Sequence, residues 1–181
     1  MRITEERTLH SQKWTLLKEV KFLDTQGAEH SWTFIERTNN QKAVVIVPVT
    51  EESHSLILIR QFRVPFAREV VEFPAGLVDP GESPEATAVR ELAEETGYRG
   101  TIEGIGPEVS TSAGITTETV TMVYMRVGEQ PAAAQRLEGA ERIEVMKVAR
   151  ENQGAFLQNM IEEGVLLDAK VYVYLQEHSA T

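Results

Sequence analysis

The 181-residue sequence contains no cysteine. That excludes a disulfide framework and any cysteine-ligated zinc site, and it fits a reducing compartment. Basic charge is scarce too: 18 Lys and Arg stand against 28 Asp and Glu, a formal net charge of -10. A nucleic-acid groove shows a basic face, so this balance argues against one. Long apolar runs are missing. None nears the roughly 20 residues that a membrane-spanning helix needs. The opening segment MRITEERTLHSQKW has no apolar signal core. These absences lead us to expect a cytoplasmic protein with neither nucleic acid nor membrane as partner.

What remains is the length for one core and an excess of carboxylate suited to hard cations. No repeat or low-complexity tract interrupts the chain. WTLLKEVKFL (14–23) and HSWTFIER (30–37) read as strands around a turn at DTQG (24–27). AVVIVPV (43–49) and HSLILIRQF (54–62) are short, β-branched and apolar, as buried strands are. VVEF (70–73), TVTMVYMRV (119–127) and IEVMKV (143–148) complete the expected strands. Two helices close the chain. In the first, Phe156, Leu157, Met160 and Ile161 share a face and Gly164 is the stop; Asp168 caps the second. Few, separated helices among many strands predict an α+β class or an α/β/α sandwich.

The anomaly lies in AGLVDPGESPEATAVRELAEETGY (75–98). Ser83 as cap, Pro84 in the first turn and Gly97 as stop define a helix over 84–96, with Val89, Leu92 and Ala93 available to a core. Glu91 and Glu95 share one face and Glu94 lies beside them. Like charges at this spacing cost about 0.2–0.5 kcal/mol, and acids in a last turn oppose the helix dipole. Arg90 offsets part of this by reaching Glu94. One reading is a solvated acidic face. The other is a cation site. The preceding loop is rich in turn residues, and Ala75 and Gly76 leave backbone open to join an all-oxygen shell of the kind magnesium prefers.

Gly76, Glu82 and the run Arg90-Glu91-Leu92-Ala93-Glu94-Glu95-Thr96-Gly97-Tyr98 resemble the Nudix box in residue type and spacing. The resemblance implies a Nudix-type α/β/α sandwich with a mixed sheet. It also implies a metal-dependent hydrolase of nucleoside diphosphates linked to another group. By position, it makes Glu91 and Glu95 metal ligands, with the Ala75 carbonyl as a third and Mg2+, or Mn2+ in its place, as the ion. Glu94 is a further ligand or a group that orients one. Glu82 and Arg90 orient the loop and the helix.

The flanking LIRQFRVPFAREVVEFPAGLVDPGESPEA is similar to the ADP-ribose and ADP-sugar pyrophosphatase branch, and the likeness extends over about residues 14–178. It assigns Arg63 to the substrate pyrophosphate, which a guanidinium can hold through two parallel bonds. It also assigns Arg37 to the substrate. A surface ion pair is the ordinary alternative for Arg63. Trp14 and Trp32 match two tryptophans that sandwich a nucleobase, one from each chain of a homodimer; the alternative is a core anchor. Residues 1–40 would then be a dimer-forming β extension, and 41–181 the hydrolase domain.

Two departures favour a broad nucleoside diphosphate sugar hydrolase over a strict ADP-ribose one. Thr33 stands where relatives carry a glutamate that reads adenine, and Ala113 replaces a proline in STSAGITTE. For the base that activates water, the branch points to the loop PAAAQRLEGAERIEV, by alignment to Glu141, with Glu138 in reserve. A rival reading is a non-catalytic nucleotide sensor. The intact Glu91, Glu94 and Glu95 speak against it.

Overall fold

Three strands open the chain: β1 (Arg2–Ser11), β2 (Thr15–Leu23) and β3 (Glu29–Arg37). They form an antiparallel sheet in that order. The computed structural model describes residues 1–139 and 141–178. β1 was not expected from the sequence, because every residue in it is exposed and no apolar alternation marks it. Cross-strand charge holds its register instead: Arg7 meets Glu19 at 2.7 Å, Lys18 meets Glu6 at 2.8 Å and Lys21 meets Glu5 at 3.1 Å.

The second sheet has eight strands. They are β4 (Ala43–Thr50), β5 (Leu56–Arg63), β6 (Arg68–Glu72), β7 (Ala75–Leu77), β8 (Gly100–Ser110), β9 (Thr119–Val127), β10 (Ile143–Val148) and β11 (Leu166–Leu167). The path β11-β6-β5-β4-β9-β8 forms its body; β10 pairs with β5 and β7 with β4. β4–β9 and β11–β6 are parallel and the other pairs antiparallel, so the sheet is mixed. β8 escaped the sequence reading because its three glycines and one proline read as loop. It lies at the end of that path, where such residues are tolerated.

Helices cover both faces: α1 (Pro84–Thr96) on one, α2 (Gln153–Glu162) and α3 (Ala169–His178) on the other. β4 shows why its sequence is continuously apolar. Val44 and Ile46 pack with Ala88 and Leu92 of α1; Val45 and Val47 pack with Leu157, Met160, Val171 and Leu175. This is the expected α/β/α sandwich, with an N-terminal antiparallel sheet added.

α1 has the limits its sequence predicts. Ser83 Oγ accepts from the Ala86 N–H at 3.2 Å, and Gly97 stops the helix at φ 74°. One expectation fails. Val89 is 47% exposed, and the core face is carried by Ala88 and Leu92. Ala88, Leu92 and Glu95 recur at helical spacing and are all buried, so Val89 is rotated off that face. In α2, Leu157 and Met160 are buried while Ile161 is exposed. Asp168 Oδ1 accepts from the Lys170 N–H at 2.8 Å and caps α3 as expected.

The N-terminal sheet docks on the loop before β9. The Ile35 N–H donates to the Ile115 carbonyl at 2.8 Å, and the Thr117 N–H donates to Ile35 at 3.1 Å. No helix of the described residues is long and apolar enough to cross a membrane.

Candidate active site

β7 and α1 build the floor of a cleft of about 710 Å3. β7 pairs with β4, which fixes Ala75 opposite Val45. The Ala75 N–H then donates to Glu95 Oε2 at 3.0 Å. Glu95 is 8% exposed. Burial, together with like charge from Glu91 and Glu141, pushes its carboxyl up to about 8. Burial also pushes Glu91 up, against the pull of Arg90, which donates to Glu91 at 2.7 Å. A buried carboxyl raised by its neighbour, beside a second carboxyl that is also raised, suits a divalent cation, which would reverse the sign of the local field. Among the described residues no three acidic or histidine side chains already converge as a ligand shell, so Glu91 would have to turn from Arg90 to share a cation with Glu95.

Gly76 keeps the space for Glu91. A Cβ built at Gly76 would lie 2.0 Å from the Glu91 carboxyl carbon. That carboxyl is the end of a flexible side chain and moves at little cost to the fold. Gly76→Ala is therefore expected to leave Tm near the parent value while weakening divalent-cation binding about 10–100-fold. Parallel melting curves and metal titrations check it; unchanged metal affinity would remove Gly76 from the site.

Arg90 is the hub of the helix's acidic face. It donates to Glu82 through Nε at 3.0 Å and Nη2 at 2.9 Å, and to Glu94 at 3.3 Å. The guanidinium, with help from the Thr87 hydroxyl, holds Glu82 down at about 2. Glu82 thus ties the loop to α1, as its place in the motif implied. Glu94 is flanked by Arg90 and by Arg136, the latter at 3.4 Å.

The other singled-out residues divide. Arg63, Arg37, Trp14, Glu138 and Glu141 line the same cleft as Ala75, Glu91, Glu94 and Glu95. Trp32 does not. Its Nε1–H donates to the Gly114 carbonyl at 3.1 Å, and the residue is 54% exposed. Trp14 is 61% exposed with Lys13 Nζ 4.4 Å from its ring centroid. Neither is a core anchor, and within one chain the two rings do not stack on each other.

Two partners were missed in the sequence. Glu72 accepts from Arg63 Nε at 2.6 Å and Nη2 at 2.7 Å, so one edge of the guanidinium is taken and Nη1 remains. Glu118 pairs with Arg37. Glu72 stands inside the quoted EFPAG segment, and its distance of nine residues from Arg63 across the β5–β6 hairpin was the available signal. Glu118 is far from Arg37 in sequence, and nothing local pointed to it.

The chain is similar to ADP-sugar pyrophosphatase of Mus musculus, 31% identical over 184 residues that span 95% of this chain and 84% of that protein. It is also similar to ADP-ribose pyrophosphatase of Saccharomyces cerevisiae, 31% identical over 88% of this chain and 74% of that one. Its fold matches a crystal structure of ADP compounds hydrolase with TM-score 0.69 at 23% identity, covering 90% of this chain and 84% of the other. The model of the NUDIX domain matches residues 39–163, which include β4 and the whole of α1, and the chain belongs to the Nudix family.

Proposed function

We propose that this protein hydrolyses the pyrophosphate bond of nucleoside diphosphate sugars, ADP-ribose among them, to a nucleoside monophosphate and a sugar phosphate. The observation that carries the reading is one cleft lined by Glu91, Glu95, Arg63 and Glu141. The named relatives support the substrate class. Glu91, Glu95 and the Ala75 carbonyl would hold Mg2+, with Mn2+ able to replace it. When bound, the ion neutralises phosphate charge and favours ionisation of water.

The chain's own residues supply the rest. Arg63, held by Glu72, presents its remaining Nη1 to the diphosphate. Glu141 takes a proton from water as the oxygen attacks one phosphorus. The bridging P–O bond breaks, and its electron pair leaves on the departing phosphate. Glu94 is already held between two arginines and steadies the helix face that carries Glu91 and Glu95.

The test is magnesium-dependent turnover across ADP-ribose, ADP-glucose, GDP-mannose, UDP-glucose and NADH. Cleavage of several sugars is expected. Cleavage of ADP-ribose alone would restrict the substrate class, and binding without cleavage would make the protein a sensor.

We further propose that residues 1–40 are a dimer-forming extension to a hydrolase domain spanning 41–181, in a cytoplasmic homodimer. Exposed Trp32 and Trp14, kept apart in one chain, support pairing of each with the partner's counterpart around a base. A monomer mass in solution would remove the dimer.

A further inference from the structure

A second cavity, of about 340 Å3, adjoins the far end of β4. That strand lends Ala43 and Val45 to the catalytic cleft, and Val47 and Val49 to this cavity. Gln153, the first residue of α2, lines it and is 3% exposed. Its Oε1 is buried and has no hydrogen-bond partner among the described residues. Buried polar atoms are almost always paired, so this oxygen asks for an N–H or O–H donor from outside the described chain.

The cavity carries two further demands. Arg150 lies in the short turn that leads into α2 and also lines the cavity. Its guanidinium makes no ion pair among the described residues. Arg126, by contrast, is bound to Glu103 by two bonds of 3.0 Å. The N-terminal end of α2 adds positive potential beside Arg150. In a chain of net charge -10, this is a local call for an anion. Tyr174 and His178 stack face to face with ring centroids 4.1 Å apart and planes 13° apart, a pair that leaves an outer ring face at the cavity. The volume lies in the range of small-molecule sites.

An anion, a flat ring and a hydrogen-bond donor in one small ligand describe a nucleotide. We propose that this cavity is a second binding site, for a nucleoside monophosphate. The phosphate sits on Arg150, the base extends the Tyr174–His178 stack on its outer face, and an exocyclic amine or ribose hydroxyl donates to Gln153 Oε1. The site is separate from the catalytic cleft and does not depend on the hydrolytic reading. The two are close, however: Tyr174 packs edge-on against Phe73 of the cleft wall with centroids 5.6 Å apart, so the test must tell them apart.

Calorimetric titration of AMP into the full-length protein in EDTA makes that separation. Arg150→Ala and Gln153→Leu are each expected to weaken AMP binding by about tenfold or more, and Arg63→Ala in the cleft is expected to leave this binding unchanged. Arg150 is exposed, so its variant tests the site even if Gln153→Leu fails to fold. Absence of AMP binding overturns the proposal. So does binding that is lost in Arg63→Ala but kept in Arg150→Ala, or inorganic phosphate binding as tightly as AMP. Failure of the hydrolytic reading would appear separately, in the substrate panel with the parent protein.

Discussion

Glu95→Gln is expected to lower kcat by about 10³-fold while raising the Tm of the metal-free protein. The two effects share one cause. Glu95 is 8% exposed, faces the negative charge of Glu91 and Glu141, and has one neutral donor, the Ala75 N–H. Without a cation that carboxyl costs the fold stability at any pH above its ordinary value of 4.5: up to about 8 it must be held protonated, and beyond that it sits ionised, desolvated and repelled. Glutamine keeps an oxygen that accepts from Ala75 and does not titrate, so the cost disappears. The fold gains, and the hard cation loses its anionic ligand. Turnover at saturating magnesium, with melting curves in EDTA, checks both halves. Near-parental turnover would remove Glu95 from the metal site. Lost turnover with a lowered Tm would mean that the carboxylate is structural and the activity loss indirect.

The parts of the molecule legible in the sequence are those set by local chemistry. α1 was legible to its ends, because Ser83, Pro84 and Gly97 act through local backbone chemistry. The doubly buried strands were legible because burial on both faces leaves a continuous apolar run, as in β4. The carboxylates of α1 stood out because they are locally unfavourable, and unfavourable local choices gather at functional sites. Illegible features depended on distant partners. β1 is held by charge pairs to β2 rather than by an apolar face. Glu118 meets Arg37 only because the N-terminal sheet docks on residues 115–117. The exposure of Val89 was a matter of helix phase: apolar identity suggested a core position, and the rotation set by Ala88 and Leu92 turned it outward.

Glu141→Gln is expected to lower kcat by about 10²–10⁴-fold with little change in KM. A residue that accepts a proton only as the nucleophile attacks contributes to the transition state and not to substrate binding. The geometry suits that role. Glu141 is exposed on the cleft wall, and its charge is felt at both Glu91 and Glu95. Its Oε2 accepts from the Glu138 N–H at 2.9 Å, and its own N–H donates to the Glu138 carbonyl at 3.0 Å. The Glu138 backbone therefore holds Glu141 at both its side chain and its main chain, with no need of the Glu138 carboxylate. Glu138→Gln is then the matched control, expected to retain most of the turnover. Saturation kinetics on both variants decide between them. If Glu138→Gln loses turnover while Glu141→Gln keeps it, the base lies three residues earlier in the loop. If both lose kcat equally, the loop acts through its conformation and neither carboxylate is the base. A rise in KM with kcat intact at Glu141 would place it against the substrate in the ground state, and the proton would have to go elsewhere.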